Sequence, residues 1–250
     1  MARFFLTIEY NGSPYVGWQR QDNGPSIQGE IEAALLDLGE TNALVYGAGR
    51  TDAGVHALAQ VAHVDLQRPW SDHKLREAIN ARLRPRPIAI MQVHEVNNDT
   101  HARFSATNRH YLYRIINRRP YLALDQGKAW HVKPPLDETL MNEAAQLLIG
   151  THDFTTYRAT HCQSNSPIKT LDSLTVTRHD EIVEIHASAR SFLHNQVRSL
   201  VGVLKKVGDG SWQPQDVVTA LEARSRKACA PVAPAHGLYL TRVDYPADLK

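Results

Sequence analysis

The chain has little of several things that would narrow its chemistry at once. Among 250 residues there are only two cysteines, Cys162 and Cys229. No CxxC pair and no Cys/His spacing marks a zinc site, and the thirteen histidines are scattered, so no metal is expected. No run approaches the ~18 apolar residues of a membrane span. The opening MARFFLTIEYNG turns polar at Glu9 and Asn11, too soon for a signal peptide. Strong charge of one sign is also missing: the formal net charge is +2, which argues only weakly for a nucleic-acid partner. These absences predict a cytoplasmic protein with reduced thiols and no membrane contact.

What is present is a composition able to build large cores. Hydrophobic residues make up 42% and charged residues 22%, enough for one large domain or two small ones. The positive charge is clustered. REAINARLRPR (76–86) holds four arginines, and RFSATNRHYLYRIINRR (103–119) holds five with two tyrosines. Basic side chains interleaved with aromatics suit phosphates and unstacked bases, although a solvated strand face gives the same pattern.

Hydrophobic periodicity orders the elements. FFLTIEY (4–10) reads as a strand. Ser26 caps a helix carrying Ile27, Ile31, Ala34, Leu35 and Leu38, and Gly39 stops it. ALVYGAG (43–49) and LAQVAHVDL (58–66) read as strands. Ser71 caps DHKLREAINARL, with Leu75, Ala78, Ile79 and Arg82/Leu83 on one face. IAIMQVHEV (88–96) closes a β-α-β-β-α-β series. The second half repeats the order: a strand at 110–117 and a helix at 138–149. A polar loop at 151–167, longer than packing needs, precedes a hairpin about His179 and Asp180. A helix at 193–207, a short helix from Pro214 and a strand at 236–245 complete it. The expected fold is α+β: two tandem ferredoxin-like domains, residues 1–104 and 105–250, with a cleft between them.

One stretch stands out chemically: GAGRTDAGVHA (47–57). Glycines at 47, 49 and 54 permit close approach or positive φ, and small residues follow Asp52. Arg50 is placed to hold a carboxylate ionised or to hold an anion. The plainer reading is an Asx-turn between two strands, with Asp52 bonding its own backbone. TDAG also resembles the turn of aspartic proteases. Those enzymes need two such loops and a shared proton, and this chain has one loop beside arginines that oppose protonation.

Taken together, YNGSPYVGWQRQ (10–21), AGRTDAGVHA (48–57), HARFSAT (101–107), DFTTYRA (153–159) and FLHNQVRSLVG (192–202) resemble the TruA-type tRNA pseudouridine synthases. The blocks run in the family's order and span the chain from about Tyr10 to Tyr245. His110 and Leu112, around Tyr111, stand where the family often carries basic residues. The resemblance implies isomerisation of uridine to pseudouridine in the anticodon stem and loop of tRNA, at positions 38, 39 and 40, by a homodimer without a cofactor. It places the catalytic aspartate on Asp52, the tyrosine packed on the target base on Tyr111, and the arginine of base flipping on Arg50. The arginine paired with the carboxylate falls on Arg198. RNA contacts fall on His101, Arg103, Arg119 and the stretch His161, Cys162, Gln163, Ser164 and Asn165.

The chemistry agrees with those residue types. Pseudouridylation breaks the C1′–N1 bond and forms C1′–C5 with no gain or loss of electrons, so neither redox cofactor nor metal is demanded. A carboxylate can attack C1′, add to C6, or remove a sugar proton, and the sequence does not choose among these. The stacked target must first be extruded. Arg50 suits the vacated space. Tyr111 offers a flat ring and a phenol that could take up H5. Taken without the resemblance, Tyr111 reads as a core residue and Arg198 as a surface arginine at the edge of an apolar helix face. A tRNA-binding protein without catalysis would need the basic face and not Asp52.

Overall fold

The computed structural model describes residues 1–160 and 162–247. The chain divides into two compact units, Met1–Asn108 with Tyr239–Lys250, and Arg109–Leu238.

The first unit contains β1 (Ala2–Tyr10), α1 (Ile27–Asp37), β2 (Tyr46–Gly47), β3 (His56–Leu66), α2 (Asp72–Leu83) and β4 (Ile88–Val96). β1 is flanked antiparallel by β3 and β4, and β2 pairs antiparallel with β3, giving the order β4-β1-β3-β2. Alternation in β1 buries Phe4, Leu6 and Ile8, each fully. α1 starts where the sequence signals it: Ser26 Oγ accepts from the Gly29 amide at 3.1 Å, a cap worth about 1 kcal/mol. Ile27, Ile31, Ala34 and Leu35 cover the core. α2 likewise begins at the Ser71 cap and buries Leu75, Ile79 and Leu83. Arg82 is exposed, so the apolar face is narrower than its spacing suggests. The strand read at 43–49 shrinks to Tyr46–Gly47, because residues 48–55 leave the ladder to form the loop that carries Asp52. The last strand, β11 (Leu238–Asp244), pairs parallel with β3, Tyr239 opposite His56 and Leu240 opposite Ala57.

The second unit contains β5 (Asn108–Asn117), β6 (Trp130–Val132), α3 (Glu138–Gln146), β7 (Gly150–Asp153), β8 (Ile168–Leu171), β9 (Ser173–His179), β10 (Ile182–Ala189), α4 (Gln196–Gly208) and α5 (Asp216–Glu222). β10 runs antiparallel between β5 and β9, and β6 joins β5 in parallel. α4 buries Val197, Leu200, Val201, Val203 and Leu204, most of its circumference. The polar loop read at 151–167 is not uniform. β7 and β8 form a small two-stranded sheet. Between them a 3₁₀ turn at Thr155–Tyr157 is rooted in the interior, with Phe154, Thr156 and Tyr157 at 0% exposure. Thr156 Oγ1 donates to the Ala220 carbonyl at 2.6 Å and the Tyr157 hydroxyl to Val217 at 2.7 Å. Three large or hydroxylated residues inside a polar stretch give no periodicity, so the sequence pattern hides them.

Candidate functional site

Asp52 lies on the loop between β2 and β3. The loop is held mostly by backbone, and the segment 11–18 holds it. The Trp18 amide donates to the Thr51 carbonyl at 3.0 Å, and Gly17 and Asp52 form an isolated antiparallel bridge. The approach depends on glycine. A Cβ on Gly17, where φ is +122°, would stand 2.7 Å from the Thr51 oxygen, and one on Gly12 would stand 2.0 Å from the Val55 oxygen. Gly47 accommodates the indole of Trp18, which lies 2.6 Å from where its Cβ would be. Side chains complete the brace. The Tyr10 and Thr51 hydroxyls share a hydrogen bond of 2.8 Å, and the Gly12 amide donates to His56 Nδ1 at 3.0 Å. Gln60, fully buried, donates from Nε2 to the Gly49 carbonyl at 2.8 Å. The Val55 amide donates to the Asp52 carbonyl at 3.1 Å, closing the turn through the backbone. Thr51 and Val55 are buried, while Asp52 is half-buried and Arg50 and Ala53 are exposed. The loop therefore buries Thr51 and Val55 and leaves Asp52 half-buried between them. The sequence named Asp52. It did not name Tyr10, Gly12, Gly17, His56 or Gln60 as the frame, though YNGSPYVGW, rich in glycine beside aromatics, carried the signal.

On the same unit, His101 and Arg103 sit in an aromatic cluster. Tyr46 stacks on His63 at 5.0 Å, His63 meets His101 edge-on at 4.4 Å, and His101 meets Phe104 at 4.4 Å. The Arg103 guanidinium lies 5.6 Å from the Phe104 ring centre. Phe104 is 73% exposed. Burial pushes His63 down to about 4, helped by His101 and Arg3, and its Nδ1 accepts the Ala102 amide at 3.2 Å. Burial also lowers His101.

On the second unit, Tyr111 projects from β5 opposite Ala187 of β10 and is half-buried. Phe192 packs edge-on against its ring at 5.2 Å and 90°. Its neighbour on the alternate position, Tyr113, is the true core residue, fully buried with its hydroxyl donating to the Pro234 carbonyl. Arg198 lies in the first turn of α4, half-buried. Its Nε donates to the Ala233 carbonyl at 2.8 Å and its Nη1 to Asn195 Oδ1 at 3.0 Å. The helix read from 193 begins only at Gln196, because Asn195 adopts the left-handed region at φ 62°.

The basic run 103–119 divides. Arg109 is buried and donates to the Arg190 carbonyl, Arg114 faces Asp125 and Glu184, and Arg118 pairs with Glu181 at 2.5 Å. Arg103 and Arg119 are exposed. In the other run, Arg76 pairs with Glu77 and Arg86 with Glu30. Arg76, Arg86, Arg114 and Arg118 thus face carboxylates within the chain, and the net charge of +2 follows from 28 lysines and arginines against 26 aspartates and glutamates. Cys162 is half-buried and not in a disulfide. Gln163 and Asn165 are exposed, and Ser164 Oγ donates to the Ser166 carbonyl at 3.1 Å. His161 lies outside the described residues. Among the described residues no helix is long and apolar enough to cross a membrane.

The structure thus presents a half-buried aspartate on a glycine-braced turn, with an exposed arginine two residues before it. Comparisons with known proteins place the whole chain. The family model described as tRNA pseudouridine synthase matches residues 6–105 and 144–246. Curated relatives named tRNA pseudouridine synthase A align over nearly the full length. The protein of Rhizobium meliloti is 59% identical, covering 98% of this chain and 100% of its own. That of Rhizobium leguminosarum bv. trifolii is 58% identical, covering 98% and 92%, and that of Maricaulis maris is 56% identical, covering 98% and 99%. The chain belongs to the tRNA pseudouridine synthase family.

Proposed function

We propose that this chain isomerises uridine to pseudouridine at positions 38, 39 and 40, in the anticodon stem and loop of tRNA, with Asp52 as the catalytic carboxylate. The observation that carries the reading is the Asp52 loop itself: braced on Gly12 and Gly17, yet leaving Asp52 only half-buried. Fixed backbone around one reactive oxygen is what a covalent or proton-abstracting step needs, since the geometry is set before substrate arrives.

In this reading the target base leaves the stack and Arg50, exposed beside Asp52, occupies the space. Tyr111 packs on the extruded base, its half-buried ring steadied edge-on by Phe192. Arg198 serves as the cationic partner that keeps the carboxylate ionised and oriented. The C1′–N1 bond breaks, the detached uracil turns, C5 bonds to C1′, and the C5 hydrogen leaves as a proton while N1 gains one. Atoms and electrons balance without a cofactor or metal. His101, Arg103, Arg119, His161, Cys162, Gln163, Ser164 and Asn165 serve as RNA contacts in this reading. Exposure of Arg103, Arg119, Gln163 and Asn165 supports this. The antiparallel order β4-β1-β3-β2 around α1 and α2 supports a ferredoxin-like first domain, and the repeat of strand, helix, hairpin and helix supports a second. A cytoplasmic homodimer completes the proposal.

The test is tritium release from tRNA labelled at uridine C5. Wild type releases label from a few uridines per tRNA. Asp52→Ala binds tRNA as well as wild type and releases none. Asp52→Asn, which keeps the loop's hydrogen bonds, behaves the same. Release by Asp52→Asn at the wild-type rate would make Asp52 a turn residue and refute the assignment.

A further inference from the structure

Asn195 is anomalous for the residue that opens a helix. At this position asparagine is favoured because its side chain accepts a bond from a first-turn amide, with extended backbone. Here the backbone is left-handed, φ 62° and ψ 5°, and the side chain caps no amide. The Ser199 amide reaches the Asn195 carbonyl at 2.8 Å, which is the ordinary first bond of the helix and leaves the side chain uninvolved. The Asn195 Oδ1 is instead turned to Arg198 Nη1, 3.0 Å away. A non-glycine residue held at positive φ costs energy that the surroundings must offset, and such outliers gather at working sites.

The other side of the guanidinium is gripped by main chain. Arg198 Nε donates to the Ala233 carbonyl at 2.8 Å, and the Ala233 amide returns a bond to the Arg198 carbonyl at 3.1 Å. This strap lies hard against α4. A Cβ on Gly202 would stand 2.1 Å from the Pro231 oxygen, so only glycine there admits it. An arginine side chain has much rotamer freedom to lose, and acceptors at fixed places remove most of it before substrate binds.

We infer that Asn195 is a positioning residue: its left-handed backbone exists to aim Oδ1 at Arg198 and, with the Ala233 carbonyl, to fix the direction of the guanidinium. The inference rests on the reading that Arg198 serves the reaction. It adds that this service depends on a residue that need touch neither base nor carboxylate.

Three variants and one spectroscopic signal test it. Asn195→Gly keeps the positive φ at no strain and removes the amide. Its melting temperature should equal or exceed that of wild type and its tRNA affinity should stay within about twofold, while turnover falls about tenfold, the scale of a misaimed catalytic group. Asn195→Asp, which tolerates the same backbone and keeps an acceptor, should retain most of the turnover. Asn195→Gly combined with Arg198→Met should be no slower than Arg198→Met alone. The Arg198 Nε–H resonance, sharp in wild type, should broaden in Asn195→Gly. An unchanged resonance, or equal losses in Asn195→Gly and Asn195→Asp, would overturn the positioning role. A broadened resonance with wild-type turnover would uphold the positioning and instead refute the catalytic service of Arg198.

Discussion

The Asp52 loop and the start of α4 each present one charged side chain, and they hold it by different means. Aspartate is short, so the loop fixes it by fixing backbone. Amides of Trp18 and Val55 bond to carbonyls at 51 and 52, and glycines at 12 and 17 let two chain segments touch. Arginine is long, so backbone placement alone would leave its tip free over several ångströms. α4 therefore supplies bonds at the guanidinium, from Asn195 and Ala233. The cost of error differs accordingly. Damage to the loop is paid in folding and in geometry together, whereas damage to the guanidinium's acceptors leaves the fold intact.

The largest effect that would sharpen this contrast is Gly12→Ala. The new methyl must displace the Val55 carbonyl, and overpacking of that kind costs about 1–3 kcal/mol. We expect a lower melting temperature and turnover down by about a hundredfold, the scale of a 1 Å misplacement. A Gly12→Ala enzyme with normal turnover would show that the brace is dispensable. Next, Arg198→Met should lower turnover at least about tenfold if Arg198 serves the reaction as proposed, while tRNA affinity and melting temperature hold. Equal losses of turnover and stability there would erase the distinction between the two regions.

Two smaller effects probe the surroundings. With Arg103 and Arg119 as the exposed members of their run, tRNA affinity should fall about tenfold between 50 and 200 mM salt, the loss expected for roughly two phosphate contacts. A flat response would remove them from the interface. His63 is held neutral by burial, with its folded value near 4 against an ordinary 6.5. The unfolded chain then binds the extra proton first, so stability is full above about 6.5, falls as pH drops toward 4, and levels below it. Melting curves across that window should show the decline, and His63→Gln should flatten it. A parallel decline in His63→Gln would assign the effect to other groups.

Much of this was legible in the sequence, for reasons that particular residues make plain. α2 and β4 run over the residues their spacing predicts, because Ser71 marks the start and apolar residues recur cleanly. Asp52 was found because glycines crowd it. What stayed hidden depends on residues far apart in the chain. Tyr10 meets Thr51 across 41 residues, and Arg198 meets Ala233 across 35. The pattern at 43–49 overruns the strand because apolar residues continue past the point where the backbone turns away. The pattern at 193 overruns the helix start because nothing in the letters LHNQ announces a left-handed asparagine. The basic runs misled most: their partners Glu181, Glu184 and Asp125 sit on other segments, so neutralisation leaves no local trace.

Of four tryptophans, Trp18 alone is buried, at 3% exposure, with its indole against Gly47 and near the Tyr10 ring. It bonds through its amide to the residue just before Asp52. The enzyme thus contains an optical gauge wired to its Asp52 turn. Emission from that ring should be the bluest of the four, and it should shift red when the segment 11–18 lifts away, well before the rest of the chain unfolds. Replacing the other three tryptophans with phenylalanine would leave one lamp, lit from inside the brace, by which any loosening of the brace could be read directly.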